Sequence, residues 1–152
     1  MIRPADLPQE GALLAQIHAL AFSPGWAAPE LTRLASGPGA FALVSDESGL
    51  ILCRAGGGEA EIITLAVDPA RRRQGLGRAL VEAAAILARD HGAEAMFLEV
   101  AESNLAALAL YARTGFETVG RRPGYYSQTG GPPVDAIVMR WHLNSGPASP
   151  YS

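Results

Sequence analysis

One run, Glu61-Ile-Ile-Thr-Leu-Ala-Val67, constrains the fold more than any other stretch of the chain. It is β-prone and almost continuously apolar, which suits a central strand covered on both faces. A turn follows at Asp68-Pro69. A helix from about Gly75 to Asp90 then keeps Leu76, Leu80, Ala84 and Leu87 on one side, and Gly92 stops it. Met96 to Val100 reads as the next strand. Strand–helix–strand order requires a crossover connection, so the expected class is α+β, an α/β mixed sheet.

The flanking segments fit that frame. Ile2 to Ala5 reads as a short first strand. Leu7, Leu14, Ile17, Leu20 and Ala21 share one helical stripe, which Ser23-Pro24-Gly25 ends. A second helix runs from about Pro29, with proline in its first turn, to Ala35. Phe41 to Ser45 and Leu50 to Arg54 are strands joined by a turn at Asp46–Gly49. The first half is thus an antiparallel meander carrying two early helices. Beyond Val100, Ser103 is a candidate N-cap for a helix that ends at Gly115. Phe116 to Gly120 and Ala136 to Trp141 are the last two strands. One domain is expected over residues 1–144. The Ser/Pro/Gly-rich residues 145–152 are expected to form a flexible tail.

Composition narrows the function classes. The 152 residues are 49% hydrophobic and 18% charged, enough apolar material for a packed core. All 12 basic residues are arginine, and the net charge is -3. A domain that binds DNA without sequence preference needs a basic face, so no direct nucleic-acid partner is expected. The lone Cys53 excludes an internal disulfide framework and suits a reducing compartment. No signal peptide or membrane-spanning run is visible, so the expected location is cytoplasmic, with no membrane partner. His18, His91 and His142 lack metal-ligand spacing, and no metal is expected.

The turn Asp68 to Arg78 carries the strongest chemical signal. Its glycines fall where a helix begins, and the first backbone N–H groups of a helix have no helical partner. The helix dipole places about half a positive charge there. Gly75 and Gly77 allow a ligand to approach the backbone, and Arg71, Arg72, Arg73 and Arg78 add charge. This composition makes a pyrophosphate cradle, although a solvated basic turn reads from the same residues. A Walker A loop is excluded because it needs lysine. A Rossmann fingerprint is excluded because position 80 is Leu80, not glycine.

Arg72-x-x-Gly75-x-Gly77, directly after a Leu-Ala-Val-x-Pro strand end, resembles the acetyl-CoA-binding motif of the GNAT N-acetyltransferases. Phe97-Leu98-Glu99-Val100, the run Ser103 to Tyr111 and Gly115-Phe116 are similar to the second half of that domain. Arg121-Arg122-Pro123-Gly124-Tyr125-Tyr126 with Asp135 to Met139 narrows the likeness to the RimI-type ribosomal-protein-alanine N-acetyltransferases. The resemblance implies a GNAT fold, a mostly antiparallel sheet of about seven strands with about four helices. It implies acetyl-CoA as co-substrate, bound by Leu65, Ala66 and Val67, by Arg72, Arg73, Gln74, Gly75, Leu76, Gly77 and Arg78, and by Asn104. It also implies that the strand ending at Val67 splays from its neighbour. The implied partner is a protein or peptide N-terminus, that of a ribosomal protein. Acceptors that remain open are a lysine side chain or a small amine. A non-catalytic acyl-CoA-binding domain is a reading from another class.

Two residues carry the implied chemistry. Glu99 lies near the carboxyl end of its strand, where open α/β sheets place their sites. It shares a side with Phe97, and a carboxylate among apolar neighbours needs a partner. From the residues alone it is equally an edge glutamate; the resemblance makes it the base. Tyr111 follows Leu108 by three on its helix, so its ring is expected to be half-buried. Spacing reads it as a core tyrosine, and the resemblance makes it the acid that meets the leaving sulfur. Asn104 serves either a ligand or helix capping. Cys53 is a conceivable acyl-enzyme nucleophile, but its apolar strand pattern reads as a buried core thiol. Trp26, Tyr125 and Tyr126 are expected to be loop aromatics that hold the acceptor's backbone.

Overall fold

The computed structural model describes residues 1–127 and 130–143, and in it the apolar run becomes a strand at the middle of a seven-stranded sheet. In chain order the elements are β1 (Ile2–Pro4), α1 (Gly11–Ala21), α2 (Ala28–Ala35), β2 (Ala40–Ser45), β3 (Gly49–Gly56), β4 (Glu59–Val67), α3 (Leu76–Asp90), β5 (Ala95–Ala101), α4 (Leu105–Thr114), β6 (Glu117–Tyr126) and β7 (Val134–His142). The sheet order is β1-β2-β3-β4-β5-β7-β6. Every neighbouring pair is antiparallel except β4 and β5, which α3 connects as a crossover. The expected mixed sheet with four helices is what forms. The proposed boundary at residue 144 and the tail beyond it lie outside the described residues.

Both faces of the sheet are covered, as the alternation in β3 requires. Ile51, Cys53 and Ala55 join Leu80, Val81, Ala84, Met96 and Leu98 in a core beneath α3 and α4. Leu50 and Leu52 point the other way, into a second core with Leu14, Ile17, Leu31 and Val44 under α1 and α2. β5 has only one face fully buried: Met96, Leu98 and Val100 are in the core, while Phe97 and Glu99 are half-covered on the opposite face.

Two irregularities in β4 shape everything that follows. Its register against β3 shifts between Leu52↔Thr64 and Cys53↔Ile62, so Ile63 is the extra residue of a bulge. Its pairing with β5 stops after Glu59↔Ala95, Ala60↔Met96 and Glu61↔Phe97. Beyond that point the two strands part, and the edge of β4 up to Val67 faces a gap rather than β5.

Two expectations need correction. Asn104, not Ser103, caps α4: its side-chain oxygen accepts the Ala107 N–H at 3.2 Å. β6 does not stop at Gly120 but continues to Tyr126, so Tyr125 and Tyr126 are strand residues and not loop aromatics. Pro123-Gly124 reads locally as a break. The ladder with β7 passes over Pro123, Gly124 and Tyr125 by a register shift and resumes at Tyr126↔Val134.

Candidate active site

The gap between β4 and β5 opens next to the arginine turn. Asp68 starts the turn by accepting the Ala70 N–H at 3.0 Å, and a single 3-10 turn spans Pro69–Arg71. Arg73 (φ 65°) and Gly75 (φ 79°) both adopt left-handed backbone, two residues apart. For Gly75 that conformation costs nothing. A Cβ on Gly75 would meet nothing within 4 Å, so the backbone there is open to a ligand. A Cβ on Gly77 would lie 3.1 Å from Leu110 Cδ2 of α4, so this glycine serves close packing. The helix ladder leaves the N–H groups of Leu76, Gly77 and Arg78 without acceptors. Arg71, Arg72, Arg73 and Arg78 are exposed around them. Arg71 is steadied by Gln74 (Nε to Oε1, 3.2 Å) and Arg78 by Glu82 (3.4 Å). A partly exposed run of free N–H donors, flanked in sequence by exposed arginines, fits a pyrophosphate.

On the far side of the gap stands Glu99. Its carboxylate is half-buried and pairs with Arg122 of β6, Nε to Oε1 at 3.0 Å. Arg122 reaches diagonally: Glu99 is level with Val138 of β7, and Val138 with Gly120 of β6. The Arg122 guanidinium also lies 5.3 Å from the centre of the exposed Tyr125 ring. Tyr125 packs edge-on against Tyr126 with ring centres 5.1 Å apart. Burial, and then the Glu99 charge, raise the Tyr126 hydroxyl above its ordinary pKa. Glu99, Arg122, Tyr125 and Tyr126 therefore form one cluster. Beside it is a cleft of about 460 Å³ lined among others by Arg54, Glu61, Phe97, Glu99 and Val138.

Tyr111 lies deeper than expected: it is 6% exposed, not half-buried. Its ring packs edge-on against Phe116 (5.5 Å), which draws it into the core below α4. Desolvation first, then Cys53 and Tyr126, push its hydroxyl well above the ordinary tyrosine value, so it stays protonated. The Tyr111 hydroxyl makes no hydrogen bond among the described residues and is not a buried unpartnered atom. Cys53 is fully buried, and burial raises its thiol far above the range of a reactive cysteine. It is a core thiol.

The remaining residues separate by element. Leu65, Ala66 and Val67 sit on β4 beyond the point where β5 leaves it. Asn104 has its side-chain oxygen committed to the α4 cap. Trp26 is in the loop between α1 and α2 and stacks on His18, ring centres 4.7 Å apart. Sequence reasoning passed over Arg122 and His18. Arg122 was visible only as part of the Arg-Arg-x-x-Tyr-Tyr run. The signal for His18 was a polar residue beside the apolar stripe of α1.

Residues 13–116 match the Acetyltransferase (GNAT) family, and the chain belongs to it. Curated relatives and solved structures similar to it include the following three. The [Ribosomal protein bS18]-alanine N-acetyltransferase of Escherichia coli strain K12 is 46% identical over 81 residues, covering 53% of this chain and 54% of that protein. The N-alpha-acetyltransferase RimI of Mycobacterium tuberculosis strain H37Rv is 43% identical over 82 residues, covering 54% of this chain and 48% of that one. The match thus spans about half the length of each of these two relatives. The crystal structure of the ribosomal-protein-S18-alanine N-acetyltransferase from Escherichia coli superposes with a TM-score of 0.83 at 29% identity, covering 100% of this chain and 99% of that one.

Proposed function

We propose that this chain is an acetyl-CoA-dependent N-acetyltransferase acting on the N-terminal α-amine of a protein, the N-terminal alanine of a small-subunit ribosomal protein. The observation that carries the reading is the parting of β4 from β5 after three paired residues, with the arginine turn beside the gap and Glu99 across it. The named relatives support the acceptor: one acts on alanine of ribosomal protein bS18 and the other is an N-alpha-acetyltransferase.

In this reading the first-turn N–H groups of α3 and Arg72, Arg73 and Arg78 hold the pyrophosphate of acetyl-CoA. The freed edge of β4 at Leu65, Ala66 and Val67 pairs with the pantetheine arm. An α-amine with a pKa near ~8 is about one-tenth neutral at pH 7, so its proton must be removed. Glu99 takes that proton, directly or through water. The incoming ammonium competes with Arg122 for the same carboxylate, and Arg122 retains the Tyr125 ring as a second resting place. The amine nitrogen bonds the acetyl carbon, the carbon–sulfur bond breaks, Tyr111 donates its proton to the departing sulfur, and the surplus proton of the acylated nitrogen restores the Tyr111 phenol, directly or through water. Transfer is direct, within a ternary complex, because the buried Cys53 offers no nucleophile.

The test is an acceptor screen with acetyl-CoA, in which Ala-starting peptides, internal-lysine peptides and small amines compete and mass spectrometry locates the acetyl group. Acetylation confined to the alanine α-amine is expected. Product only on lysine side chains or small amines would overturn the acceptor, and no product from any amine would overturn the activity.

A further inference from the structure

His18 is 1% exposed, and both ring nitrogens are engaged. Nδ1 accepts the backbone N–H of Trp26 at 3.0 Å. That bond fixes the tautomer: Nδ1 is the bare nitrogen, so Nε2 carries the hydrogen and donates to Thr64 Oγ1 at 3.3 Å. The imidazole also stacks with two rings, Phe22 at 4.4 Å and 18° and Trp26 at 4.7 Å and 20°. Thr64 follows the bulge residue Ile63 in β4, beyond the last residue that pairs with β5. One side chain of α1 thus ties the loop of residues 22–27 to the strand that borders the gap.

A buried imidazole in an apolar helix face is costly unless satisfied. An apolar residue would fill the space, but it could not fix the loop backbone and β4 together. We propose that His18 is a positioning residue: in its neutral form it clamps the Trp26 loop against β4 at the acceptor side of the site. The role in acceptor binding rests on the acetyltransferase reading above; the clamp itself does not. Protonation would set an Nδ1–H against the Trp26 N–H, donor against donor, and release the loop. Burial holds His18 below the ordinary histidine pKa, so the clamp is closed at neutral pH. The charged group facing it is Glu30 of α2, which pulls in the opposite direction. Thr64 of β4 is neutral, and Leu50 and Leu52 of β3 under α1 are apolar.

The test uses full-length protein carrying Trp141→Phe, which leaves Trp26 as its lone tryptophan. Trp26 emission should change in acid, because protonation releases the indole from its stack on the imidazole, with a midpoint below ~6.5. In His18→Asn, which keeps an acceptor near the Trp26 N–H but cannot titrate, that transition should vanish. Kinetically, His18→Phe should raise the KM for an Ala-starting peptide about 10-fold, while kcat and the acetyl-CoA KM stay within about twofold. His18→Asn should recover part of the loss. An emission transition that persists in His18→Asn overturns the clamp. An unchanged peptide KM in both variants overturns its role in acceptor binding. A His18-dependent transition in a protein that acetylates no amine leaves the clamp standing and removes the acetyltransferase reading instead. Should the Trp141→Phe protein fail to fold, the difference in emission between wild type and His18→Asn gives the same comparison.

Discussion

Glu99 and Tyr111 stand in opposite surroundings, one half-buried beside Arg122 and the other 6% exposed in the core below α4. The period-two alternation of β5 puts Glu99 on the side of Phe97, and in the structure that is the half-covered face of the strand. Its partner was not legible, because Arg122 lies 23 positions away and reaches it only through the intervening β7. Tyr111 was placed on the correct helix but too near the surface, since helical spacing does not register Phe116 closing over the ring from the next element. Glu99→Gln should lower turnover about 10²-fold or more, the usual worth of positioned acid–base catalysis, and spare acetyl-CoA binding measured by calorimetry. Tyr111→Phe is the sharper test. The hydroxyl makes no hydrogen bond among the described residues, so its removal should leave the melting temperature within a few degrees. A fall in turnover of about 10² with unchanged melting would separate chemistry from packing. Because burial raises the pKa of this group, it stays protonated through pH 10, and kcat should show no Tyr111-dependent alkaline fall below that pH.

The elements whose apolar pattern runs to their ends were read well, and β6 was not. Its second half holds Arg121, Arg122, Pro123 and Gly124, which read as a loop. What makes them strand is tertiary. Arg121 donates to Glu102 Oε2 at 2.6 Å and to Asp135 Oδ2 at 2.7 Å, and Asp135 Oδ1 accepts the Gly124 N–H at 2.8 Å. The Arg121 hydrogen bond first, and the Gly124 amide second, hold the Asp135 carboxyl below its ordinary value. A depressed folded-state pKa means that this support is present above the unfolded value of about 3.9 and fades as pH falls through the lower folded one. The residues so held include Tyr125 and Tyr126. Asp135→Ala should therefore speed amide exchange at Gly124 and raise the KM for an Ala-starting peptide, with the acetyl-CoA KM unchanged. Equal shifts in both KM values would mean that Asp135 supports the whole fold rather than this hairpin.

At the scale of the molecule, the mixed sheet was legible because strand and helix periods alternate cleanly after Glu61, whereas the parting of β4 and β5 was not. Nothing in the composition of Ile62–Val67 says that pairing stops after Glu61; resemblance supplied that feature, and the bulge at Ile63 is its visible local counterpart. The chain-wide absence of lysine bears on the site in two ways. It removes side-chain amines from the protein, so acetyl groups found on peptides in the screen compete with no lysine of the enzyme. It also leaves arginine alone to supply cationic charge to the turn. Arg72, Arg73 and Arg78 are exposed, so each contact to a pyrophosphate is worth about 1 kcal/mol, roughly fivefold in affinity, and is screened by salt. Three such contacts multiply. Replacing all three by glutamine should raise the acetyl-CoA KM about 10²-fold at low ionic strength, flatten its dependence on salt, and leave kcat at saturation unchanged. The same KM and the same salt slope in the triple variant would make this a solvated turn and move the phosphate cradle elsewhere. Gly77→Trp is a poorer probe of the same idea, because a side chain at that position meets Leu110 of α4 before it meets any ligand.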